Sequence, residues 1–231
     1  MRRIFGLVIC GLLLAGCGGS PPPAPHVDAA QTLRQGAAAI AAVKTVKATL
    51  KVTHGTVSFQ TFALASAKAT VRMPDESDTT YTVKRQDLTF AIQVVITHGH
   101  VYLRLPFTTF TEAAAGQAAA IPDLARLFDA SVGLPAVIPA GTTPRFVSTD
   151  QVDGVSAYQV TATYTPEQIH RMLSALSSAG DVKAKIWVDS SDHLIRRAIL
   201  DGDFGDGGTA ATVEVDLSGF DAAVVISSPA P

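Results

Sequence analysis

Residues 88–96 read LTFAIQVVI, and this stretch decides the fold. Leu88, Phe90, Ile92, Val94 and Ile96 occupy every second position. A β-strand sends successive side chains to opposite faces, so this spacing gathers five apolar groups on one face. The other face is left to residues such as Thr89 and Gln93. One covered face and one wet face is the habit of an antiparallel sheet. His98-Gly99 follows as a turn, and Val101 to Leu105 reads as the returning strand.

The same period of two extends in both directions. Upstream, Tyr81 and Val83 alternate with Thr80, Thr82 and Lys84. Ala67, Ala69, Val71 and Met73 alternate with Lys68, Thr70 and Arg72, and Val46, Ala48, Leu50 and Val52 with Lys47, Thr49 and Lys51. Downstream, Arg145 to Asp150 and Ser156 to Tyr164 flank a turn at Val152-Asp153-Gly154. Val182, Ala184, Ile186 and Val188 form the next alternating face. Leu194 to Leu200 returns after the turn Ser190-Ser191-Asp192-His193, and Ala211, Val213, Val215 and Leu217 close the series. Short successive strands of this kind predict an antiparallel meander.

Three stretches break the pattern. Val27 to Val43 is alanine-rich, with Leu33, Ile40 and Val43, and predicts one helix weakened by Gly36. Between Thr111 and Ala140, Leu124, Leu127 and Phe128 have helical spacing, but Pro122, Pro135 and Pro139 cut the segment into short pieces. Thr165-Pro166-Glu167-Gln168 is a helix start, with Thr as N-cap, Pro in the first helical position and Gln completing a capping box. The helix it opens carries Ile169, Met172, Leu173 and Leu176 and ends near Gly180. Neither an internal repeat nor a second domain is expected over 27–231.

The N-terminus has a different logic. Arg2 and Arg3 precede an uncharged apolar run, Ile4 to Leu14, followed directly by Leu14-Ala15-Gly16-Cys17. That order predicts a secretory signal over 1–16. The run falls short of the ~20 residues a membrane-spanning helix requires. Leu-Ala-Gly-Cys resembles the bacterial lipobox. Small residues at 15 and 16 suit the peptidase, and the Cys17 thiol is the nucleophile that takes a diacylglyceryl group. Cys10 leaves with the signal, so the mature body holds neither a disulfide nor a thiol catalyst. Residues 18–26 (GGSPPPAPH) follow as a flexible, proline-stiffened tether. The expected location is the outer face of the cytoplasmic membrane, held there by the lipid, in a periplasm-like space or cell wall.

Charge narrows the functions. Without the first 16 of its 231 residues, the chain has 16 basic and 20 acidic side chains, a net of −4. No long basic run exists, which argues against a nucleic-acid partner and a polybasic membrane patch. Motifs that carry chemistry are incomplete. Gly154-Val155-Ser156-Ala157-Tyr158 begins like a nucleophile elbow but lacks its second glycine and enters a strand. Gly205-Asp206-Gly207-Gly208 resembles a dinucleotide loop but is followed by a strand, so no helix N-terminus faces a phosphate. Asp201, Asp203 and Asp206 are close together, yet residue 205 is Gly and residue 212 is Thr where a calcium loop needs acids. His98 and His100 flank Gly99 with no nearby cysteine and no following carboxylate before Glu112, and His26, His54, His170 and His193 are scattered. Paired carboxylates in an evident cleft are not found either. No enzyme, metal site or cofactor is expected.

The order of elements resembles the mycobacterial LppX/LprA/LprF/LprG lipoproteins. The likeness is carried by Ala184-Lys185-Ile186-Trp187-Val188-Asp189 leading to Asp192-His193-Leu194. It is carried also by Val152-Asp153-Gly154-Val155 ahead of the Thr165 helix, and by Gly99-His100-Val101-Tyr102. The resemblance implies an α+β domain: a strongly curved antiparallel sheet, a half-barrel, with helices on its concave face around an apolar cavity. It implies an acylated lipid or glycolipid as ligand, carried across the periplasm-like space, and an exporter of the major facilitator class as a partner. Periodicity alone does not separate such a cavity from a packed core. A non-catalytic interaction module with a filled core and a hydrolase using Ser156 therefore stand beside the carrier. Many Ala and Val on the covered faces, with only 6% aromatic residues, leave room for a cavity. The expected lining is Phe90, Ile92 and Val94, covered by Leu124, Leu127 and Phe128.

Overall fold

A computed structural model describes residues 27–59, 61–118, 121–172, 178–204 and 208–229. Cys10, Cys17, His26, Leu173, Leu176 and Asp206, with the signal and tether segments, lie outside the described residues. Helix α1 (Ala29–Ala42) begins at Asp28, whose Oδ1 accepts the Gln31 amide at 3.0 Å, a standard N-cap. The chain then runs through β1 (Thr45–His54), β2 (Val57–Phe59), β3 (Phe62–Arg72), β4 (Glu76–Arg85), β5 (Leu88–Thr97), β6 (His100–Arg104) and β7 (Thr111–Glu112). The proline-broken segment holds α2 (Ala115–Ala118), a 3-10 turn (Ala125–Phe128), α3 (Leu134–Val137) and a second 3-10 turn (Ile138–Ala140). Then come β8 (Thr142–Val152), β9 (Val155–Tyr164), α4 (Pro166–Met172), β10 (Val182–Asp189), β11 (Ile195–Gly202) and β12 (Ala211–Ser218).

All strands join one antiparallel sheet of twelve. Its order is β7-β6-β5-β4-β3-β1-β12-β11-β10-β9-β8, with β2 paired to β3 off this path. The sheet is curved and unclosed, and α1, α3 and α4 contribute to the apolar cluster on its inner face. The central pairing joins the first strand to the last, Leu50 standing opposite Val215. Register then lines up one inward-facing row across eight strands: Ile92, Tyr81, Ala67, Leu50, Val215, Ala198, Ile186 and Val160. Alternation in sequence becomes continuous here because each partner keeps its covered side on the same face. No helix among the described residues is long and apolar enough to cross a membrane.

Details differ from the sequence reading in instructive ways. Gly36 was expected to weaken α1, yet it is buried there. A Cβ at this position would meet Ile195 Cγ1 at 3.2 Å and Val188 Cγ2 at 3.4 Å, so the missing side chain lets the helix sit close on β10 and β11. Leu127 and Phe128 lie in a single 3-10 turn rather than an α-helix, with Leu124 as its N-cap and Asp129 closing it off. The capping box at Thr165 forms in both directions: Thr165 N donates to Gln168 Oε1 at 2.8 Å, and Gln168 N donates to Thr165 Oγ1 at 3.3 Å.

Candidate functional site: two apolar lobes under a short-helix cover

The inner face does not fill. Two cavities of about 120 Å³ each lie between the sheet and the segment that covers it. The first has a floor of Ala184, Ile186, Ala198, Leu200, Val213 and Leu217, and a roof of Phe128, Leu134, Val137, Ile138, Ile169 and Met172. The second extends toward β3 and β4, where Leu64, Ala67, Ala69 and Tyr81 meet Pro122 and Leu124. Ala48, Leu50, Leu127, Val213 and Val215 line both, so the two are lobes divided at Leu127 on the cover and Leu50 on the floor.

Small residues create the space. Ala67 and Ala198 sit in the eight-strand row, and Ala48, Ala69 and Ala184 lie in the neighbouring rows. An alanine on a concave floor stops short of a cover held off by longer side chains, and a void results. The surroundings are almost wholly aliphatic. Tyr164 is the polar exception in the first lobe, and its hydroxyl donates to Ile138 O at 3.0 Å instead of facing the void. Burial pushes its phenol up, so the group stays a donor. In the second lobe burial likewise pushes the Tyr81 phenol up, and the Thr79 hydroxyl acts in the opposite sense.

Among the described residues, few polar contacts hold the cover. Besides the Tyr164 bond, Gln168 Nε2 donates to Ala140 O at 3.0 Å. Asp129 Oδ1 accepts from Ser131 N, Ser131 Oγ and Val132 N, which shapes the turn before α3. Gly133 permits that turn, since a Cβ there would come within 2.4 Å of Leu127 O.

The expected lining residues separate into two groups. Leu124, Leu127 and Phe128 line the lobes. Phe90, Ile92 and Val94 face the same side of the sheet and line neither lobe; they pack with Val83, Ile96 and Ile121 in an adjoining cluster that shares Ala67 and Tyr81 with the wall of the second lobe. The floor contributed by β1 and β10–β12 was missed. Its only sequence signal was alanine on the alternating faces of strands whose partners were unknown.

The remaining candidates occupy other places. Ser156 is half-buried at the start of β9, and its carbonyl accepts the Ser190 amide at 2.9 Å. His98 Nδ1 lies 2.9 Å from Thr97 Oγ1, and His100 Nδ1 lies 2.7 Å from Glu112 Oε1. Asp201 accepts from Thr212 Oγ1 at 2.7 Å. Among the described residues no group of three or more His, Cys, Asp or Glu is placed to hold a metal ion.

The lipoarabinomannan carrier protein LprG of Mycobacteroides abscessus is 21% identical over 238 residues, covering 98% of this chain and 96% of that one. The crystal structure of LprF from Mycobacterium bovis superposes with a TM-score of 0.71 at 22% identity, covering 92% of this chain and 100% of that one. LppX from Mycobacterium tuberculosis gives 0.61 at 18% identity, covering 86% and 97%. Both solved structures share the fold. The profile of the LppX_LprAFG lipoproteins matches residues 28–226, and the chain belongs to that family.

Proposed function

We propose that this protein is a lipid-anchored carrier that takes the acyl chains of an envelope lipid or glycolipid into its two lobes and ferries them across the periplasm-like space. The observation that carries this reading is the pair of abutting aliphatic lobes at the centre of the inner face. A filled-core interaction module has no use for them, since each void forfeits contacts a larger side chain would make.

Magnitudes define how loading would proceed. An apolar cavity of ~150 Å³ accommodates one benzene. Each lobe of about 120 Å³ therefore takes a short run of methylenes, and a full acyl chain requires the cover to lift. Held by polar latches at Ile138 and Ala140 among the described residues, the cover is the part of the inner layer suited to moving. Ten buried methylenes at ~0.8 kcal/mol each contribute about 8 kcal/mol, enough for micromolar retention without a charged contact.

In the same reading, 1–16 is a cleaved signal, Cys17 carries the lipid, 17–26 is the tether, and 27–231 is one lipid-binding domain on the outer face of the cytoplasmic membrane. The domain acts without catalysis and delivers to an exporter of the major facilitator class. The test is native mass spectrometry of the chain from residue 18 onward, secreted by a mycobacterium behind a cleavable signal that carries no lipidated cysteine. Adducts with the mass of acylated lipid, released by organic extraction, are expected. A preparation that is wholly ligand-free from a lipid-rich host would sink the proposal.

A further inference from the structure

The outer face of the sheet has a concavity of its own, about 340 Å³, where β8 begins. Thr143, Arg145, Thr161, Thr163, Lys183 and Lys185 surround it. Register explains the grouping. Thr161 stands opposite Arg145 on one side and Lys185 on the other, and Thr163 stands opposite Lys183. Directly opposed residues on one face have Cβ atoms ~5 Å apart. Three long cationic side chains therefore ring two threonine positions within about 10 Å.

Asp201, which stands directly opposite Lys183 on β11, is one counter-charge for three cations. None of the three cations forms an ion pair among the described residues. Among the described residues Asp201 is the one acid on the rim, and its Oδ1 accepts from the Thr212 hydroxyl, so the cluster keeps an excess of two positive charges. Like charges gathered on one face are destabilising, so the arrangement is costly without a further counter-charge. The backbone adds a second anomaly. Thr143 has φ 50, a left-handed conformation that strains a β-branched residue. It lies in a bulge where β8 advances from Thr142 to Arg145 while β9 moves only from Thr163 to Thr161. Such a bulge re-aims a side chain, here into the wall of the concavity.

We infer that this concavity binds a phosphate group. Arg145 offers a planar fork that matches phosphate oxygens, Lys183 and Lys185 supply compact charge, and the Thr163 hydroxyl can donate from the floor, whereas the Thr161 hydroxyl donates to Arg145 O at 3.4 Å. Ala184, between the two lysines, faces the first apolar lobe, so the site is one sheet thickness from it on the opposite side. The inference does not depend on lipid in the lobes, and either can fail alone.

The group could be free phosphate or the phosphodiester of a lipid headgroup, and soluble probes separate these. The full chain is titrated by calorimetry with inorganic phosphate, and separately with glycerophosphoglycerol, each against sodium chloride of equal ionic strength. Saturable 1:1 binding near ~1 mM is expected for at least one probe, with about tenfold weaker binding in the Lys183→Gln/Lys185→Gln variant. Phosphate alone identifies the free ion, whereas binding of glycerophosphoglycerol identifies the headgroup. Both lysines are exposed, so the variant should keep its melting temperature. Should it unfold, Arg145→Gln provides the same comparison. No saturable response by about 10 mM, a response matched by chloride, or equal affinity in the folded variants overturns the inference.

Discussion

Replacing Ala184 by phenylalanine separates a cavity that serves a ligand from one that is merely imperfect packing. Ala184 is 1% exposed on β10, between Ala162 and Leu200 of the neighbouring strands, and its side chain faces the first lobe. The substitution adds one phenyl ring. A benzene fills a cavity of ~150 Å³, so the ring takes most of a lobe of about 120 Å³. Burying the ring stabilises the fold by about 1.5–3 kcal/mol, and crowding against Ile169 and Met172 costs about 1–3 kcal/mol. Unfolding free energy should therefore change by no more than about 1–2 kcal/mol. Ligand binding responds differently. Displacing about six methylenes at ~0.8 kcal/mol each removes about 5 kcal/mol, a loss of several thousandfold in affinity. Native mass spectrometry of the secreted body, alongside a thermal melt, reads both quantities. A folded Ala184→Phe protein that leaves the host with its lipid adducts at wild-type abundance would refute the placement of acyl chains in this lobe.

Four further outcomes follow from named contacts. Leu127→Ala removes the divider between the lobes and should cost about 2 kcal/mol in urea unfolding while shifting the retained lipids toward longer chains. Tyr164→Phe leaves the Ile138 carbonyl with only the long 3.4 Å bond from the Gly141 amide, costs about 1 kcal/mol, and should speed amide hydrogen exchange over 134–140 more than elsewhere. Gly36→Leu forces side-chain atoms against Ile195 and Val188 and should lower the melting temperature, while Gly36→Ala gains ~1 kcal/mol of helix propensity against a mild clash. Burial alone would push the Asp189 carboxyl up, but donors from Ser191 and Arg196 outweigh it and hold it at about 2 against an ordinary 3.8. A depressed pKa contributes stability that is present above about pH 4 and lost as pH falls toward about 2, so unfolding free energy should drop by about 2 kcal/mol across that window, and Asp189→Asn should flatten the drop.

The strands were legible because each has one covered face, and alternation needs no knowledge of the partner. The capping box at Thr165 was equally local, and it formed as expected. Short edges carried no such signal: β2 has three residues and β7 two, too few for a period to show. The β1–β12 pairing joins positions 165 residues apart in the case of Leu50 and Val215, and nothing in either strand names the other. That gap hid the cavity floor. Phe90, Ile92 and Val94 stand on the most hydrophobic alternating face in the sequence. Bulky side chains close a space efficiently, whereas a void forms where small ones meet a cover that does not descend. Alanines at 48, 184 and 198 were therefore the better pointer, but only once the register had placed them together.

That central pairing also governs the order in which the molecule can be completed. Synthesis delivers β1 early and β12 last, and the contact between them spans nearly the whole described chain. Two local meanders, β3–β7 and β8–β11, can form from neighbours, but they join only through the β1–β12 seam. Closing so long a loop is slow, and the waiting halves expose apolar faces and open strand edges. Val213, Val215 and Leu217 of β12 belong to the wall of the first lobe, so the lobe has no complete wall until the last strand docks. Completion of the lobe and completion of the fold are thus a single event, and a chain cut before residue 211 would lose both together.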